Sequence, residues 1–334
     1  MPIIAVICIV IFPPWDIVWA WLQPLPDTVQ EEVDDAIQHG LDGIVVYVQK
    51  ADKPATLYSA GWKNRENKIP ADPQALFKIA SISKLYIAVA VAELVNEKRL
   101  SLDSTLADYL PEFAGRIENA ERINLRVLVQ HRSGIYNYSD HPDYPWTSPY
   151  KDNMGPSELV LDMPADFEPD AEYRYSNTNY WLIGLILDKV LGYSHHQYVR
   201  EEILLPLELN NTYSLLSEVN LNEVMSGYYV GYGPDIKYND FIHPGGSMVA
   251  TVKDVGVFIR ALNDGSLLTD QEQSIYSSIY KYNHTGLLPG YQSIARYHED
   301  MDTVVIQFVN TSGGNAWEIS KIVYNRIAQI LSRQ

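Results

Sequence analysis

The chain has 334 residues, of which 46 % are hydrophobic, so it is long enough to bury a large core. Its formal net charge is −17 and no stretch concentrates Lys and Arg, which argues against a nucleic-acid-binding protein. The single cysteine, Cys8, excludes an internal disulfide, and neither a C-x-x-C nor an H-E-x-x-H motif occurs. The adjacent pair His195-His196 lacks a third ligand nearby, and we interpret it as structural rather than metal-binding. We expect no metal and no other cofactor.

Residues 1–24 form a separate region. The run from Ile3 to Phe12 is apolar, too short for a transmembrane helix but typical of a signal-peptide core. Val18-Trp19-Ala20 offers small residues to a signal peptidase, although the basic residues expected at the start of a signal peptide are missing. We expect export to the periplasm or the cell exterior, with no stable membrane span after processing. The alternatives are a cytoplasmic protein with an apolar arm packed on the fold, or an extension from a misassigned start codon.

The first hundred residues predict helices around a pair of strands. Residues 28–38 carry one apolar stripe at helical spacing, whereas residues 43–48 form the continuous β-branched run of a buried strand. Residues 55–61 are predicted to be the hairpin partner of that strand. A long apolar helix is predicted from Ile82 to about Arg99.

From about residue 100 to residue 230 the pattern changes to helices interrupted by Pro and Gly. Helices are predicted at residues 125–130, 177–191, 194–204, 251–263 and 316–331, and later strands at residues 280–284, 291–297 and 303–310. Because strands and helices occur at both ends of the chain, we predict an α/β (α+β) fold with one antiparallel sheet flanked by N- and C-terminal helices. Residues 25–100 and 235–334 would form this sheet subdomain, and residues 101–234 a mostly helical insertion.

The tetrad Ser81–Lys84 places a hydroxyl and an amine three residues apart at the predicted start of the long helix. Positions i and i+3 share one helix face, so the amine can lie beside the hydroxyl. A serine becomes an effective nucleophile when a neighbouring base takes its proton, and a lysine is such a base if burial or nearby positive charge keeps it neutral. The alternative is that Ser81 only caps the helix.

Two further S-x-x-K tetrads serve as internal controls. Ser148–Lys151 lies in a stretch rich in Pro and aromatic residues that is predicted to be loop, and Ser278–Lys281 leads into a predicted strand. Only Ser81 begins a helical pattern, and a helix N-terminus favours negative charge that develops near this serine. Ser81 is therefore the candidate nucleophile.

Tyr175-Ser176-Asn177 is the only Y-x-N motif in the chain, and it opens the helix predicted at residues 177–191. Tyr175 can pass a proton to or from a serine, provided that a nearby cation lowers its pKa. Asn177 can bind a substrate amide and keep Lys84 oriented. The alternative is a core tyrosine followed by a helix cap.

His284-Thr285-Gly286 ends a predicted strand. Glycine at this position lets the backbone approach a ligand closely, and His284 and Thr285 can bind a carboxylate or polarise a proton network. The alternative is an ordinary hairpin.

Together the three motifs, S-x-x-K, Y-x-N and then [KH]-T-G, resemble the signature of the serine β-lactamase-like superfamily. The sequences of three further stretches also resemble this family: residues 77–80, 128–134 and 244–248. The chain resembles the branch that holds class C β-lactamases, D-alanyl-D-alanine carboxypeptidases and related esterases, over about residues 40–330. It departs from class C β-lactamases at His284, where these have lysine, and this favours the carboxypeptidase and esterase branches.

The resemblance implies a serine hydrolase that works through an acyl-enzyme. Ser81 would attack an acyl carbonyl, Lys84 and Tyr175 would carry its proton to the leaving group, and water would hydrolyse the acyl-enzyme. The resemblance also implies an oxyanion hole formed by the backbone N–H groups of Ser81 and Leu287. The substrate-binding residues that it implies are Asn177, His284, Thr285 and Gly286.

For the substrate, the resemblance implies a small peptide, ester or β-lactam, and peptidoglycan is an expected partner. We expect first a D-alanyl-D-alanine carboxypeptidase-like peptidase. A promiscuous esterase, a weak β-lactamase and a D-amino-acid amidase are the alternatives within the enzyme class. The alternative from another class is a non-catalytic penicillin- or peptidoglycan-binding protein. Residues 136–149 and 227–244 are expected to shape the pocket.

Overall fold

The computed structural model of the protein describes residues 15–152 and 154–334. The predicted signal-peptide core, Ile3–Phe12, and Cys8 lie outside the described residues. Within the described ranges, no helix has both the length and the apolar character needed to cross a bilayer.

The described residues form the following helices and strands, each series numbered in chain order. The helices are α1 (Trp15–Leu22), α2 (Val29–Gln38), α3 (Ser83–Asn96), α4 (Leu106–Tyr109), α5 (Leu125–Val129), α6 (Ser157–Val160), α7 (Asn177–Leu191), α8 (His195–Tyr198), α9 (Val252–Asp264), α10 (Asp270–Ile279) and α11 (Ala316–Leu331). The strands are β1 (Gly43–Lys50), β2 (Thr56–Asn64), β3 (Ile69–Pro70), β4 (Phe77–Lys78), β5 (Thr212–Tyr213), β6 (Tyr228–Tyr229), β7 (Val249–Ala250), β8 (His284–Leu288), β9 (Tyr291–His298), β10 (Thr303–Val309) and β11 (Thr311–Ser312). A π-helical turn, Val199–Leu204, continues α8.

A six-stranded antiparallel sheet joins the two ends of the chain in the order β3-β2-β1-β10-β9-β8. Strand β1 lies between β2 and β10, so that Val46 is opposite both Tyr58 and Gln307. Residues 43–48 of β1 are all buried, because both faces of the sheet are covered and the strand is apolar throughout. The predicted fold class, an antiparallel sheet assembled from both ends of the chain, is confirmed.

Helices α2 and α11 cover one face of the sheet. Their apolar residues form one core cluster with the sheet, and the buried pair of Glu32 and Arg326 joins the two helices at 2.8 Å. Helix α2 begins at a capping box made by Thr28 and Glu31. The terminal helices therefore pack together on one face, as the chain order predicted.

Helix α9 covers the opposite face of the sheet. The larger core cluster also includes residues of α3 and α7. Every residue of α3 from Ser83 to Ala92 is buried, so this helix is packed around its whole circumference. A helix that is fixed in this way can hold a side chain at its N-terminus in one position.

The region after residue 264 differs from the prediction in two respects. Helix α10 was not predicted from the sequence, and it begins at a capping box formed by Thr269 and Glu272. The strand that was predicted to end at His284 instead begins there, so Gly286 lies inside β8. The reason is that the chain turns at Gly290, where φ is +79°, and β8 pairs back from that turn against β9.

The division into a sheet subdomain and a helical insertion stays a prediction. The larger core cluster includes residues from both segments. The predicted processing site Val18-Trp19-Ala20 lies within α1, which packs on α11 and buries Ala20. Export also stays a prediction.

Candidate active site

Ser81 lies in a short 3₁₀ turn that leads directly into α3. Ala80, just before it, has a φ of +52°, a conformation that a non-glycine residue keeps only when its surroundings enforce it. Ser83 provides part of that constraint, because its Oγ donates to the Ala80 carbonyl at 2.6 Å and accepts from the Met248 N–H at 3.2 Å. The cap position of α3 is Ile82 and carries no side-chain cap, so capping does not account for Ser81.

Lys84 lies in the first turn of α3 and is completely buried, with its Nζ 3.2 Å from Ser81 Oγ. It donates to the Gly245 carbonyl at 2.6 Å and to Asn177 Oδ1 at 2.8 Å. Burial holds the pKa of Lys84 well below its usual range, and the positive charge of Lys281 lowers it further. A neutral amine has two N–H groups and one lone pair. Two carbonyl oxygens take two N–H groups, so the remaining position on Nζ faces Ser81. The ammonium form donates to Ser81 Oγ there, and the neutral form offers its lone pair, as a general base requires.

Tyr175 completes the contacts of the serine, because its hydroxyl donates to Ser81 Oγ at 2.8 Å. Burial raises the pKa of Tyr175, and the hydrogen bond with Ser81 only partly offsets this. The causes that set this pKa are burial, the Ser81 hydrogen bond and the neighbouring Tyr173 phenol. Tyr175 is therefore a protonated phenol that can give a proton rather than a phenolate that takes one.

Asn177 begins α7 and connects the lysine to the loop before it. Its Oδ1 accepts from Lys84, its Nδ2 donates to Ser139 Oγ at 2.9 Å, and its backbone N–H donates to Asn137 Oδ1 at 2.9 Å. These bonds fix the amide so that its oxygen points at the lysine. Asn177 also lines the cavity above Ser81, where a substrate amide would lie.

The third motif lies on β8, the edge strand of the sheet, which packs against the turn that carries Ser81. A Cβ on Gly286 would collide with the backbone carbonyl of Ile79 and with Ser293 Oγ, so only glycine lets the strand approach this closely. Leu287 follows directly and lines the same cavity as Ser81. An edge strand leaves outward-facing N–H groups without a strand partner, as an oxyanion hole requires.

His284 is the first residue of β8. It is buried, its Nδ1 donates to the Thr285 carbonyl, and its Nε2 accepts from the Tyr280 hydroxyl at 2.9 Å. Burial lowers its pKa well below the usual range, and the charge of Lys281 lowers it further, so the ring is neutral. Both ring nitrogens are therefore engaged within the protein, and the ring lies beside Tyr175, with centroids 6.4 Å apart. The role of His284 toward substrate stays a prediction. Thr285 is partly exposed and stays a predicted substrate contact.

Three residues of the site were missed from the sequence. Gly245 supplies a carbonyl to Lys84, Tyr280 bonds to His284, and the His131 ring stacks on Tyr175 with centroids 4.4 Å apart. Two of them lie in stretches that resemble the family, Gly245 in residues 244–248 and His131 in residues 128–134. The glycine pair was a further signal, because close packing against a backbone often requires glycine.

The cavity above Ser81 is small, at about 40 Å³. Its lining residues are Ser81, Tyr138, Ser139, Tyr144, Trp146, Asn177, Phe241, His243, Gly245, Gly246, Leu287 and Leu288. None of these described residues is Lys, Arg, Asp or Glu, and burial lowers the pKa of His243 to about 4, so its ring is neutral. The cleft is therefore aromatic and uncharged.

Across residues 15–152 and 154–334, no group of three or more His, Cys, Asp or Glu side chains is arranged to hold a metal ion. In the adjacent histidine pair, His195 Nδ1 lies 2.7 Å from Asp188 Oδ1. This contact is consistent with a structural role for His195.

A buried Ser-Lys pair with a phenol, facing the edge strand of an antiparallel sheet, defines a serine hydrolase site of the β-lactamase type. A sequence profile of the family described as Beta-lactamase matches residues 25–278, which is most of the chain. The chain therefore belongs to the beta-lactamase family of serine hydrolases, and the resemblance predicted from its motifs is confirmed.

The similar proteins include both curated sequences and solved structures. Protein flp from Staphylococcus aureus (strain MW2) is 25 % identical over 246 residues, which are 71 % of this chain and 49 % of flp. The chain thus spans about half the length of that relative. The D-amino acid amidase from Ochrobactrum anthropi SV3, complexed with L-phenylalanine amide, has a TM-score of 0.79 at 22 % identity, covering 95 % of this chain and 99 % of that one. The penicillin binding protein from Bacillus halodurans has a TM-score of 0.76 at 20 % identity, covering 89 % and 99 %. These structural matches establish the fold.

Proposed function

We propose that this protein is a serine acyl hydrolase that forms an acyl-enzyme on Ser81 and acts on small uncharged amides or esters. The observation that carries the proposal is the position of Ser81 Oγ, 3.2 Å from Lys84 Nζ and 2.8 Å from the Tyr175 hydroxyl. A neutral amine and a protonated phenol on one serine are the base and the acid that acyl transfer needs.

In the acylation step, Ser81 Oγ forms a bond to the acyl carbon while Lys84 takes its proton. The N–H groups of Ser81 and Leu287 then hold the negative oxygen, and losing one such donor typically costs about a hundredfold or more in rate. As the tetrahedral intermediate collapses, the bond to the leaving group breaks. The leaving group receives a proton from Tyr175, which Lys84 restores. Lys84 then takes a proton from water, whose oxygen bonds to the acyl carbon. The bond from that carbon to Ser81 Oγ breaks, and Oγ receives the proton from Lys84, which restores the serine and the neutral amine.

The absence of charge in the cleft supports uncharged substrates. A peptide that ends in D-alanyl-D-alanine carries a carboxylate, and desolvating a carboxylate without a cationic partner is costly. Neither Lys nor Arg occurs among the described lining residues, and His284 is buried and neutral. An amide or ester without a free carboxylate meets no such penalty.

The D-alanyl-D-alanine carboxypeptidase expected from the motifs is the second candidate, and the fold shared with a penicillin binding protein supports it. The two candidates differ in how they treat a free carboxylate. Hydrolysis rates should be measured for one acylated D-alanyl-D-alanine peptide and for the same peptide with its C-terminus amidated. We expect the amidated peptide to react faster. A free acid that reacts more than tenfold faster would establish the carboxypeptidase.

The experiment that tests the proposal is labelling with a fluorophosphonate together with turnover of p-nitrophenyl acetate. Ser81→Ala should abolish both. The control is Ser148→Ala, which removes the exposed serine of another S-x-x-K tetrad and should change neither. Labelling that persists in Ser81→Ala contradicts the assignment. Labelling of Ser81 without turnover of any ester or amide would instead indicate the non-catalytic binding protein.

A further inference from the structure

A second and much larger cavity, of about 710 Å³, lies beside the cleft. It shares Trp146, Leu287 and Leu288 with the cavity above Ser81, so the two adjoin at the end of β8. The lining residues that the small cavity does not share include five that we call the far wall: Tyr229, Val230, Gly231, Tyr232 and Trp317. A volume of this size falls within the range of about 300–1,000 Å³ that ligand pockets occupy.

The walls of this second cavity are uncharged. Asp, Glu, Lys and Arg make up 20 % of the chain, yet none of the described residues that line the cavity is charged. Several of the lining side chains are apolar and exposed, including Leu287 at 52 %, Val230 at 51 % and Tyr229 at 44 %. A contiguous exposed apolar surface on a strongly acidic protein indicates a binding site for an apolar group.

The geometry of β8 connects this apolar cavity to the reacting carbonyl. The Leu287 N–H is the predicted oxyanion donor, and the next residues, Leu288 and Pro289, line the larger cavity. The cavity above Ser81 holds only about 40 Å³, which is room for a few water-sized groups. An acyl group longer than a few carbons must therefore leave the small cavity, and the larger cavity is adjacent.

We propose that the larger cavity is an acyl-chain site. Its ligand is the apolar part of an ester or amide substrate, an alkyl chain of medium length or an aryl group, whose carbonyl lies at Ser81. The inference rests on the proposed function, because the bond to Ser81 is what places the carbonyl beside Leu287. It extends that function by naming the substrate class as apolar acyl compounds rather than acetyl or short peptidyl ones.

The test is the dependence of kcat/KM on acyl length, from p-nitrophenyl acetate to p-nitrophenyl octanoate. Each of the first methylenes that moves from water into an apolar site should raise kcat/KM by roughly threefold. The total rise from acetate to octanoate should be at least about tenfold. Val230→Asp places a charge in the far wall and should lower kcat/KM for octanoate at least tenfold more than for acetate. The matched control is Leu205→Asp, because Leu205 is 54 % exposed and lines neither cavity. It should leave the ratio between the two esters unchanged.

A second measurement does not depend on turnover. Fluorophosphonates with methyl and octyl chains should label Ser81 at different rates, the octyl compound faster, and Val230→Asp should remove that advantage. If acetate is hydrolysed through Ser81 but chain length has no effect, the acyl-chain site is wrong and the proposed function stands. If Val230→Asp lowers kcat/KM equally for the acetate and octanoate esters, the acyl-chain site is likewise wrong and the proposed function stands. If neither ester nor phosphonate reacts at Ser81, both proposals are wrong.

Discussion

Two buried lysines, Lys78 and Lys84, lie on one short stretch of chain and have opposite surroundings. Lys78 on β4 donates to the Asn239 carbonyl at 2.6 Å. Burial lowers its pKa to about 7, while the Asp240 and Asp235 carboxylates act in the opposite direction. Lys84 has only neutral oxygen partners, and its charged neighbour is Lys281, which lowers its pKa further.

Burial is the largest cause of the low pKa of both lysines, and the sign of the nearby charge opposes the shift at Lys78 and adds to it at Lys84. Lys78 retains part of its charge and holds the chain around Asn239, which lines the larger cavity. Lys84 loses its charge and faces a serine. Lys78 holds a residue of the cavity wall, and Lys84 is the proposed base.

The largest expected effect separates the two lysines directly. Lys84→Met should lower the rate of Ser81 labelling by about a thousandfold, since removing a general base from a nucleophile typically costs about 10²–10⁴ in rate. Lys78→Met should keep the rate within about tenfold of wild type, because the Lys78 amine donates to the Asn239 carbonyl rather than to Ser81. Labelling kinetics and denaturant unfolding check both variants. Equal losses of rate in the two variants would show that the lysines do not differ as described.

The next effect concerns how Lys84 is oriented. A Cβ on Gly245 would lie 2.9 Å from Lys84 Nζ, so Gly245→Ala should displace the amine and lower kcat/KM about a hundredfold. The control is Gly233, which lines neither cavity and where a Cβ would meet no atom within 4 Å. Gly233→Ala should have nearly wild-type activity toward p-nitrophenyl acetate. A Gly245→Ala enzyme with full activity would mean that the Gly245 carbonyl does not orient the base.

A smaller effect should appear in stability. Because the folded pKa of Lys78 is about 7, below its ordinary 10.5, the unfolded chain binds more protons between these values and stability rises with pH there. Lys78→Met removes this contribution. The free energy of unfolding of wild type relative to the variant should therefore rise by about 1 kcal/mol per pH unit between pH 7.5 and 9. A constant difference over this range would show that Lys78 stays charged in the folded protein.

The smallest effect tests the neighbouring charge. Lys281→Met removes the cation that lowers the pKa of Lys84, so the rise of kcat/KM with pH should move to higher pH. At a pH within that rise, the kcat/KM of Lys281→Met should be a few-fold lower than that of wild type. The control is Lys151→Met, which removes an exposed lysine from another S-x-x-K tetrad and should leave the pH profile unchanged. A Lys281→Met profile identical to wild type would assign the low pKa of Lys84 to burial alone.

The sequence predicted the parts of the site that depend on local structure. Ser81, Lys84 and Tyr175 stand at the starts of helices, where spacing and capping patterns limit the possible arrangements, and the structure brings all three together. The antiparallel sheet also followed from the order of the elements along the chain. The roles of the site residues stay predictions until they are measured.

What the sequence could not predict depends on contacts between distant segments. The Gly245 carbonyl reaches Lys84 across 161 positions, and neither residue carries a local signal of the other. The hydrogen-bond partners of His284 could not be predicted, because they are set by the register of β8 and by Tyr280, which only the folded chain defines. The surroundings of Lys78 and Lys84 are likewise products of tertiary packing.

The central claim is that an uncharged Lys84 activates Ser81, and NMR titration of ¹³Cε-labelled lysine measures this most directly. The Lys84 resonance, assigned by its loss in Lys84→Met, should titrate well below the ordinary value of 10.5. The acylation rate should rise over the same pH range as the amine loses its proton. A Lys84 that titrates near 10.5 while acylation is already maximal at neutral pH would contradict the account.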